Sequence, residues 1–523
     1  MNFTGTVSYA DEARMVVTMP SAGAILELQS TDNLGVQLYF DETSYRTMFE
    51  ALSDVLRAKG NRLAELRDIM LGTLKPGSRE LYPVRFPWLN STQETAVNKV
   101  LCSRDVSIVH GPPGTGKTTT LVEAIYETLH REPQVMVCAQ SNTAVDWISE
   151  KLVDRGVNVL RIGNPTRVND KMLSFTYERR FESHPSYTEL WGIRKAMREM
   201  NGHRRGSYEE RESARNRMSR LRDRATQLEI QINADLFDSA HVIASTLVSS
   251  NHRVLSGHRF GTLFIDEAAQ ALEAACWIAI RKADRIVLAG DHCQLPATIK
   301  CYEAARAGLE HTLMERIVTT KPSVVSLLRI QYRMNEAIMN FPSQWFYEGQ
   351  LEAAPEIRHR GILDWDTPIT WIDTSEMEFK EEFVGETFGR INREEAHLLL
   401  KELEDYIQRI GGHRILGIIS PYKAQVQYLR NKIKTSAALR PYRSLLTVNT
   451  VDGFQGQERD VVFISLVRAN EDGQIGFLND LRRMNVAITR ARMKLVILGN
   501  ADTLKQHKFY HKLIDYIREI SKA

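Results

Sequence analysis

The stretch His110-Gly111-Pro112-Pro113-Gly114-Thr115-Gly116-Lys117-Thr118-Thr119-Thr120 decides the fold, because it matches G-x-x-x-x-G-K-[ST], the spacing of a phosphate-binding loop. The apolar pair 108–109 comes just before it and is typical of the end of a buried strand, whereas Leu121, Ile125 and Leu129 follow at helical spacing. The glycines let backbone N–H groups turn towards an anion, and the dipole of the helix N-terminus adds to the attraction. The stretch therefore predicts a nucleoside triphosphate site between a strand and a helix.

The residues of this loop have distinct expected roles. Lys117 is expected to reach the β- and γ-phosphates, and the hydroxyl of Thr118 to coordinate Mg²⁺. The alternative, a chance glycine-rich turn, does not account for the flanking strand and helix patterns. The residues expected to contact the nucleotide are Gly111, Pro112, Pro113, Gly114, Thr115, Gly116, Lys117, Thr118 and Thr119.

Length and composition are those of a globular protein with about three domains. Of the 523 residues, 43% are hydrophobic and 25% charged, and no apolar run approaches the roughly 18 residues of a membrane span. The N-terminus has no secretion pattern, and the five cysteines form no C-x-x-C pair. We expect reduced thiols, no structural metal and a cytosolic or nuclear compartment. A net charge of +3 requires any nucleic-acid surface to be a local patch.

The chain before residue 76 predicts a small accessory region. Short β-like runs at 5–9, 15–19, 24–28 and 35–40 are separated by turn residues, which favours a small sheet or part of a barrel. A helical pattern follows from Asp41 to Ile69. We expect residues 1–75 to form a partial β-barrel-like region on a helical stalk.

From there the pattern is α/β, with strands and helices in alternation, and it predicts parallel sheets with crossover helices. The first series, in a domain expected at 76–320, has strand candidates at 107–109, 134–139, 157–162, 241–245, 262–265 and 285–289. The second series, expected at 321–523, has candidates at 323–328, 370–372, 415–420, 446–449, 460–466 and 494–498.

A segment at 167–237 interrupts the first series, because it has no strand pattern. Between Arg194 and Arg224 it carries eleven Lys or Arg against five Asp or Glu, a local basic surplus. This predicts a helical insertion that contacts nucleic acid. The alternative, a solvated helix pair held by salt bridges, remains open.

Polar and charged residues further along the chain, most of them after strand candidates, could complete the nucleotide site. The strand at 262–265 ends in Asp266 and Glu267, which suit a Mg²⁺ ligand and a base that orients and deprotonates the attacking water. A simple helix cap is the alternative for this pair. Gln294 follows the strand at 285–289 and could sense the γ-phosphate. Arg333 and Arg490, in the second series, have the character of arginine fingers, although each alone could form a surface ion pair.

These blocks, taken in order, resemble the superfamily 1 helicases, and within them the up-frameshift-like group with its immunoglobulin-mu-binding relatives. The resemblance covers 89–499 and is carried by Gln93, Gly111–Thr118, Gln140–Asp146, Asp266–Gln270, Gly290–Leu295, Gln331–Met334, Thr450–Asp460 and Asn485–Arg492. It implies an α/β fold of two tandem RecA-like P-loop domains, with ATP between them and single-stranded nucleic acid across their top.

The resemblance also implies roles for individual residues. Gln93 would read the adenine edge, Tyr332 would stack on the base, and Glu458 would hold the ribose. Arg333 and Arg490 would contact the γ-phosphate. The positions at which the family grips the backbone of the strand are Ser141, Asn142, Thr143, Ser245, Thr246, Pro421, Tyr422 and Thr450.

The leading functional prediction is an ATP-dependent helicase or translocase on single-stranded DNA or RNA, moving 5′ to 3′ by resemblance. The alternative is an ATP-gated clamp that remodels ribonucleoprotein without strand separation, because the motor motifs serve both activities. A P-loop kinase or GTPase would leave the arginines of the second series unexplained. The motifs leave the choice between RNA and DNA open.

Overall fold

The structure is a computed structural model. It describes residues 5–10, 14–19, 25, 28–29, 35–36, 42–201, 208–299, 301–385, 389–454 and 456–522. No helix in these ranges is long and apolar enough to cross a membrane.

The N-terminal region agrees with the sequence patterns only in part. Strands β1 (Thr6–Ala10) and β2 (Met15–Thr18) pair as an antiparallel hairpin. The strand prediction for 24–28 is wrong at its described residues, because Ile25 and Leu28 are helical. This stretch is rich in Ala, Leu, Glu and Gln, which favour a helix. In the predicted strand at 35–40, the described residues 35–36 have no regular structure, and the rest lies outside the described residues.

Two helices join this region to the rest of the chain, α1 (Thr43–Arg57) and α2 (Arg62–Met70). The Arg62 guanidinium at the start of α2 pairs with Asp105, and its Nε donates to the Asp284 carbonyl at 2.9 Å. The two helices therefore lie against the first α/β domain.

The first α/β domain, domain 1, contains a seven-stranded sheet in which every neighbouring pair is parallel. Its strands are β3 (Val106–His110), β4 (Val135–Ala139), β5 (Val159–Ile162), β6 (Val242–Thr246), β7 (Phe260–Asp266), β8 (Ala283–Gly290) and β9 (Val325–Leu327). The order across the sheet is β5-β6-β4-β7-β8-β3-β9. Its helices are α3 (Ser91–Cys102), α4 (Lys117–Leu129), α5 (Asn142–Asp154), α6 (Tyr177–Glu182), α7 (Tyr187–Asn201), α8 (Tyr208–Ser239), α9 (Glu273–Ile280), α10 (Tyr302–Ala304) and α11 (Leu313–Thr320).

One predicted strand belongs to a different sheet than expected. The candidate at 323–328, assigned to the second series, forms β9 at the edge of the first sheet, where Val325 pairs with Ile108. The crossover through α11 returns the chain to the sheet it left, so the first sheet ends beyond the predicted boundary at residue 320.

The insertion at 167–237 contains α6, α7 and most of α8, between β5 and β6. Among the described side chains, helices α7 and α8 are joined by the cross-helix ion pairs of Glu189 with Arg224 and of Arg194 with Glu229. These four side chains are exposed, and such pairs contribute little to stability. Contact of this basic segment with nucleic acid stays a prediction.

The second α/β domain, domain 2, contains a five-stranded parallel sheet and two small strand pairs. The strands after β9 are β10 (Ile330–Gln331), β11 (Glu352–Ala353), β12 (Ile369–Asp373), β13 (Glu382–Val384), β14 (Gly389–Ile391), β15 (Leu416–Ile419), β16 (Leu446–Asn449), β17 (Arg459–Ser465) and β18 (Ala491–Gly499). The order across the sheet is β12-β18-β17-β15-β16. The helices are α12 (Glu336–Phe346), α13 (Arg393–Ile410), α14 (Lys423–Thr435), α15 (Leu481–Ile488), α16 (Ala501–Leu504) and α17 (Lys508–Ile520).

The predicted fold class, two tandem RecA-like domains with parallel sheets, is confirmed. The strands of both sheets are largely buried runs of Val, Ile and Leu, as expected for parallel strands covered on two faces. Polar residues that follow β3, β7 and β8 consequently meet at one edge of the first sheet.

Candidate nucleotide-binding cleft

The phosphate-binding loop joins β3 to α4 at the carboxyl edge of the first sheet. Gly114 and Gly116 both have a φ of 76°, and Gly116 is the N-cap of α4. A Cβ at Gly111 would lie 2.5 Å from the Lys117 Cβ, and one at Gly116 would lie 2.5 Å from the Gln93 Nε2. The glycines therefore satisfy both the backbone conformation and the close packing that the loop requires.

The three threonines expected at the loop differ in exposure. Thr115 is buried, and its hydroxyl donates to the Pro112 carbonyl at 2.6 Å. Thr118 is partly exposed and Thr119 is exposed at the first turn of α4.

A hard cation prefers oxygen ligands, and the Thr118 hydroxyl and the Asp266 carboxylate belong to that class. With the glycine cradle beside them, the residues present fit a Mg²⁺–nucleotide complex.

Lys117 lies against both predicted acidic residues of the same domain. Its Nζ is 2.8 Å from the Asp266 Oδ1 and 2.6 Å from the Glu267 Oε1. Burial lowers the pKa of Lys117, but the two carboxylates outweigh this effect and raise it above its usual range. One ammonium thus serves two carboxylates, so a phosphate that attracts Lys117 would leave both available to a cation.

Glu267 has a left-handed backbone, with φ 51° and ψ 39°, which is uncommon for a residue other than glycine. Its N–H donates to the Asp266 Oδ1 at 2.8 Å. Backbone strain of this kind clusters at functional sites, where the surrounding structure maintains it. Here it accompanies the turn that directs both carboxylates towards Lys117.

Gln93 is buried and uses its amide within the protein. Its Oε1 accepts from the Asn90 N–H at 3.1 Å, which completes a capping box at the start of α3, and its Nε2 donates to the Thr115 carbonyl at 3.0 Å. A primary amide offers two N–H donors and two lone pairs, so one of each remains for an adenine edge. Gln93 therefore also braces the phosphate-binding loop.

Domain 2 brings three arginines to the opposite side of the cleft. The Nε of Arg333 donates to Glu458, and its Nη1 donates to the Thr489 carbonyl at 3.1 Å. The Nε of Arg492 donates to the same Glu458 carboxylate at 2.9 Å. Arg490 is 3% exposed and donates to the Gln457 carbonyl and to the Gln294 Oε1, each at 3.2 Å. Three guanidinium groups therefore lie together on this side of the cleft, and two of them, Arg333 and Arg492, pair with Glu458.

The ionisation of these groups reflects this excess of positive charge. Burial, followed by the Arg333 charge, lowers the pKa of Arg490 to about 9, and burial also lowers the pKa of Arg333. Burial raises the pKa of Glu458, but Arg333 and Arg492 outweigh this and hold it below its usual range. An anion placed between the domains would relieve the unfavourable energy of the crowded guanidinium groups.

The loop also touches domain 2 directly. The Tyr332 N–H donates to the Gly114 carbonyl at 2.8 Å, and a Cβ at Gly114 would lie 2.6 Å from the Arg333 Cβ. The Tyr332 ring is 41% exposed, and its hydroxyl accepts from the Asn90 Nδ2 at 3.0 Å. The predicted nucleotide residues of both domains therefore line one cleft.

Sequence reasoning missed a buried network behind Gln294. Each oxygen of Asp291 accepts two hydrogen bonds: one from His110 and the Cys293 N–H, the other from Gln294 and the Tyr347 hydroxyl. Burial raises the pKa of Asp291, but the His110 hydrogen bond leads the effects that hold it below its usual range. In the sequence, the one sign of this network is the position of Asp291, which comes directly after a strand that pairs with β3.

The same place brings together four side chains that could ligate a metal. Ligand atoms of His110, Asp291, His292 and Cys293 lie within 4.8 Å of one another. Because both Asp291 oxygens already accept two protein hydrogen bonds, a metal would have to displace those donors. We interpret the cluster as a hydrogen-bonded network.

The residues expected to contact nucleic acid in domain 1 follow two adjacent parallel strands, β4 and β6, where Ala139 pairs with Thr246. Ser141 caps α5 and Thr143 is exposed beside it. Ser245 differs, because it is fully buried and its hydroxyl donates to the Thr246 carbonyl at 3.0 Å. The side chain of Ser245 therefore does not reach the surface.

The corresponding residues of domain 2 follow β15 and β16, which are also adjacent and parallel. Pro421 and Thr450 are partly exposed. Tyr422 is 6% exposed, and its ring meets the exposed Phe477 edge-on with the centroids 6.2 Å apart. In domain 1, the side chain of Asn142, which is also expected to contact nucleic acid, accepts a hydrogen bond from the Arg161 guanidinium at 2.8 Å. The set thus lies along the carboxyl edges of the two sheets, although Tyr422 presents little surface.

Two RecA-like domains, with a phosphate-binding loop and carboxylates on one and guanidinium groups on the other, define a nucleoside triphosphatase whose site is shared between domains. Two family models, each described as an AAA domain, match residues 88–301 and 309–502.

Curated relatives extend over nearly the whole chain. An uncharacterised ATP-dependent helicase of Methanocaldococcus jannaschii is 32% identical over 550 residues, covering 94% of this chain and 80% of that protein. The DNA-binding protein SMUBP-2 of Mesocricetus auratus is 32% identical, covering 92% of this chain and 50% of that protein. A regulator of nonsense transcripts 1 homolog of Arabidopsis thaliana is 36% identical, covering 84% of this chain and 35% of that protein.

The chain belongs to the superfamily 1 helicases, in the up-frameshift-like group. The predicted family and enzyme class, an ATP-hydrolysing helicase, are thereby confirmed. The chain spans four fifths of the archaeal relative but only half of the hamster protein. Among solved structures, an arterivirus helicase bound to DNA is 15% identical, with a TM-score of 0.39 over 79% of this chain and 64% of that chain.

Proposed function

We propose that this chain hydrolyses ATP in the cleft and uses the energy to move along single-stranded DNA or RNA, 5′ to 3′, separating duplexes. The observation that carries the proposal is the division of the site. Lys117 and its two carboxylates belong to domain 1, whereas Arg333 and Arg490 belong to domain 2. A site divided in this way is complete only when the domains approach, so each cycle of hydrolysis can alter their separation.

Domain 1 would bind the phosphates and prepare the water. Lys117 exchanges its carboxylate partners for the β- and γ-phosphates, and Glu267 is then free to orient and deprotonate the attacking water. Thr118 and Asp266 would hold Mg²⁺, which when bound neutralises negative charge on the phosphate oxygens. The loop N–H groups and the α4 N-terminus add positive potential at the same place.

Domain 2 would stabilise the charge that develops on the transferred group. Arg490 is a buried donor and Arg333 a partly buried one, and both are already held near the cleft, so little reorganisation is needed when the phosphate charge spreads. Gln294 bridges to Arg490 and would report whether a γ-phosphate is present. For the nucleoside, we assign adenine recognition to Gln93, base stacking to Tyr332 and ribose contact to Glu458.

Nucleic acid would cross the carboxyl edges of both sheets. In domain 1 the contacts would come from Ser141, Asn142, Thr143 and Thr246 with the backbone at Ser245, and in domain 2 from Pro421, Thr450 and the partly covered Tyr422. Short hydroxyl and amide groups suit phosphate contacts that carry no sequence information. Each domain could tighten and release in turn as the cleft closes and reopens.

ATP turnover with matched RNA and DNA oligonucleotides of equal length tests the motor and the substrate class together. We expect strong stimulation by single strands and its loss in Glu267→Gln, while Glu273→Gln, a carboxylate that pairs with Arg316 outside the cleft, keeps it. Full stimulated turnover in Glu267→Gln would refute the mechanism.

A strand-displacement assay on duplexes with a 5′ or a 3′ tail then tests direction and unwinding. Displacement that requires a 5′ tail supports the proposal. ATP turnover without displaced strand would instead favour an ATP-gated clamp.

A further inference from the structure

The buried network behind Gln294 connects domain 1 to domain 2, and the Tyr347 hydroxyl is one of its crossing points. The Tyr347 hydroxyl, in domain 2, donates to the Asp291 Oδ2 at 2.6 Å, and the Gln294 Nε2 donates to the same oxygen at 2.7 Å. Tyr347 is 3% exposed and follows the last residue of α12. It is therefore a rigidly packed group that shares a single acceptor atom with the predicted γ-phosphate sensor.

The same hydroxyl is also tied to the helix that precedes Arg490. The Asn485 Nδ2, on α15, donates to the Tyr347 hydroxyl at 2.9 Å and to the Cys293 carbonyl at 2.8 Å. Two residues beyond α15, the Arg490 Nε donates back to the Val486 carbonyl of that helix at 3.1 Å. Any shift of α15 therefore moves Asn485 and Arg490 together.

These contacts close into a ring, because Arg490 also donates to the Gln294 Oε1. The chemistry fixes the orientation of the Gln294 amide: a carboxylate only accepts, so Nε2 faces Asp291, and a guanidinium only donates, so Oε1 faces Arg490. Burial, followed by the charge of Asp291, raises the pKa of Tyr347 well above its usual range, so its hydroxyl keeps its proton. Every donor in the ring thus has a defined acceptor.

We propose that Tyr347 is a positioning residue that couples Gln294 to α15, so that the γ-phosphate sensor and Arg490 move as one unit when the nucleotide state changes. The inference rests on the proposed function, because it assigns to that cleft the contact by which domain 2 responds. Tyr347 touches neither nucleotide nor water in this role. It acts by holding Asp291 and Asn485 in register.

Tyr347→Phe tests this inference, since it removes the hydroxyl and keeps the ring. In the full chain with saturating oligonucleotide, we expect kcat for ATP to fall about tenfold, the loss typical of one hydrogen bond to a charged group, with KM changed less than about twofold. Tyr406→Phe is the matched control, because its buried hydroxyl donates to the Asp366 carboxylate at 2.8 Å elsewhere in domain 2. Equal kcat in the two variants would overturn the inference.

A double-mutant cycle with Gln294→Ala separates coupling from mere stabilisation. If Tyr347 acts through Gln294, the double variant is no slower than the slower single variant, whereas multiplied losses would contradict the coupling. Thermal unfolding should shift equally in Tyr347→Phe and Tyr406→Phe. A wild-type chain that single strands do not stimulate would refute the proposed function instead, and the basal kcat of the two tyrosine variants would still decide the inference.

Discussion

The two walls of the cleft have opposite charge imbalances. On the domain 1 wall, the Lys117 ammonium faces two carboxylates, Asp266 and Glu267. On the domain 2 wall, Arg333 and Arg492 pair with Glu458, and Arg492 also lies 3.5 Å from Asp460. Arg490 lies beside them and donates to neutral acceptors, the Gln457 carbonyl and the Gln294 Oε1. One wall has an excess of negative charge and the other an excess of positive charge, although they lie within one cleft.

This difference in charge explains why neither wall is sufficient by itself to bind a Mg²⁺–nucleotide complex. The domain 1 wall can accept a cation beside a phosphate, whereas the domain 2 wall can accept only an anion. A Mg²⁺–triphosphate complex, which carries both a cation and anionic oxygens, would satisfy both walls. In the proposed mechanism, nucleotide binding and domain approach are therefore linked by electrostatics as well as by shape.

Of the substitutions considered, the replacement of Lys117 should change the charge balance of the cleft and the rate of ATP turnover most strongly. In Lys117→Ala the two carboxylates of the domain 1 wall lose their cation and repel an incoming triphosphate, so we expect ATP turnover to fall about a thousandfold or more. Phosphate release in the presence of oligonucleotide measures the loss. Lys282→Ala is the control, since that lysine donates to the Leu255 carbonyl at 2.9 Å away from the cleft. Turnover above a tenth of wild type would contradict the assigned role.

Removal of one guanidinium group should have a smaller effect and a different kinetic form. We expect Arg490→Ala to lower kcat about a hundredfold while ATP affinity changes less than tenfold, because Arg333 and Arg492 preserve the positive wall. Single-turnover kinetics and nucleotide titration separate the two quantities. Arg409→Ala, at an exposed arginine over the Tyr406 ring, should match wild type. A loss confined to affinity would show that Arg490 only attracts the phosphate.

Glu458→Gln removes from the positive wall the carboxylate that pairs with both Arg333 and Arg492, and leaves Asp460 beside Arg492. Inorganic tripolyphosphate, which carries no ribose, should inhibit the variant about fivefold more tightly. The gain for ATP should be smaller, since Glu458 is the group proposed to hold the ribose. Competition assays with both ligands measure this difference. An unchanged response to tripolyphosphate would mean that the arginines do not determine anion affinity.

A carboxylate in domain 2, Glu395, shows how burial affects the pKa of a carboxyl group. Glu395, at the start of α13, is fully buried and accepts from Ser465 and the Val467 N–H, and burial raises its pKa to about 7. Because this pKa is raised in the folded protein, its contribution to stability is complete below pH 4.5 and is lost as pH rises through 7.

Glu395→Gln should therefore flatten the fall in Tm between pH 5 and pH 8 by about 2–4 °C and leave ATP turnover unchanged. Glu394→Gln, at the exposed neighbour, should keep the wild-type slope. Thermal scans at several pH values measure this slope. If Tm fell equally with pH in both variants, the group with the raised pKa would not be Glu395.

The positions of the strands could be predicted from the sequence where a local run of apolar residues determines the strand. Strands β3 to β8 lie at or within two residues of their predicted positions, because each is a continuous apolar run bounded by turn residues. The sheet to which β9 belongs was not predictable, since it depends on where a crossover returns the chain. The two-residue strands β10 and β11 pair only because tertiary contacts bring them together.

The site follows the same rule. The predicted residues of the loop, Asp266 and the arginines lie in one cleft. Asp266 ends β7 and Arg333 follows β10, as expected for charged groups at strand ends, whereas Arg490 lies between α15 and β18. Tyr347 carried no such signal: its partner Asp291 is 56 residues away, and only the packed domains bring them together. The distinction between Arg490 and Arg492 was equally hidden, since two neighbouring arginines face different partners.

The contact of Gly114 with Arg333 has a mechanical consequence. The loop is usually regarded as a surface that receives phosphate, but Gly114 is also the point at which the loop meets domain 2, and no Cβ fits between them. The absence of a side chain there sets the smallest distance to which the domains can close. A methyl group at this position would act as a spacer that holds the two domains apart, and at a φ of 76° it would also strain the backbone of the loop.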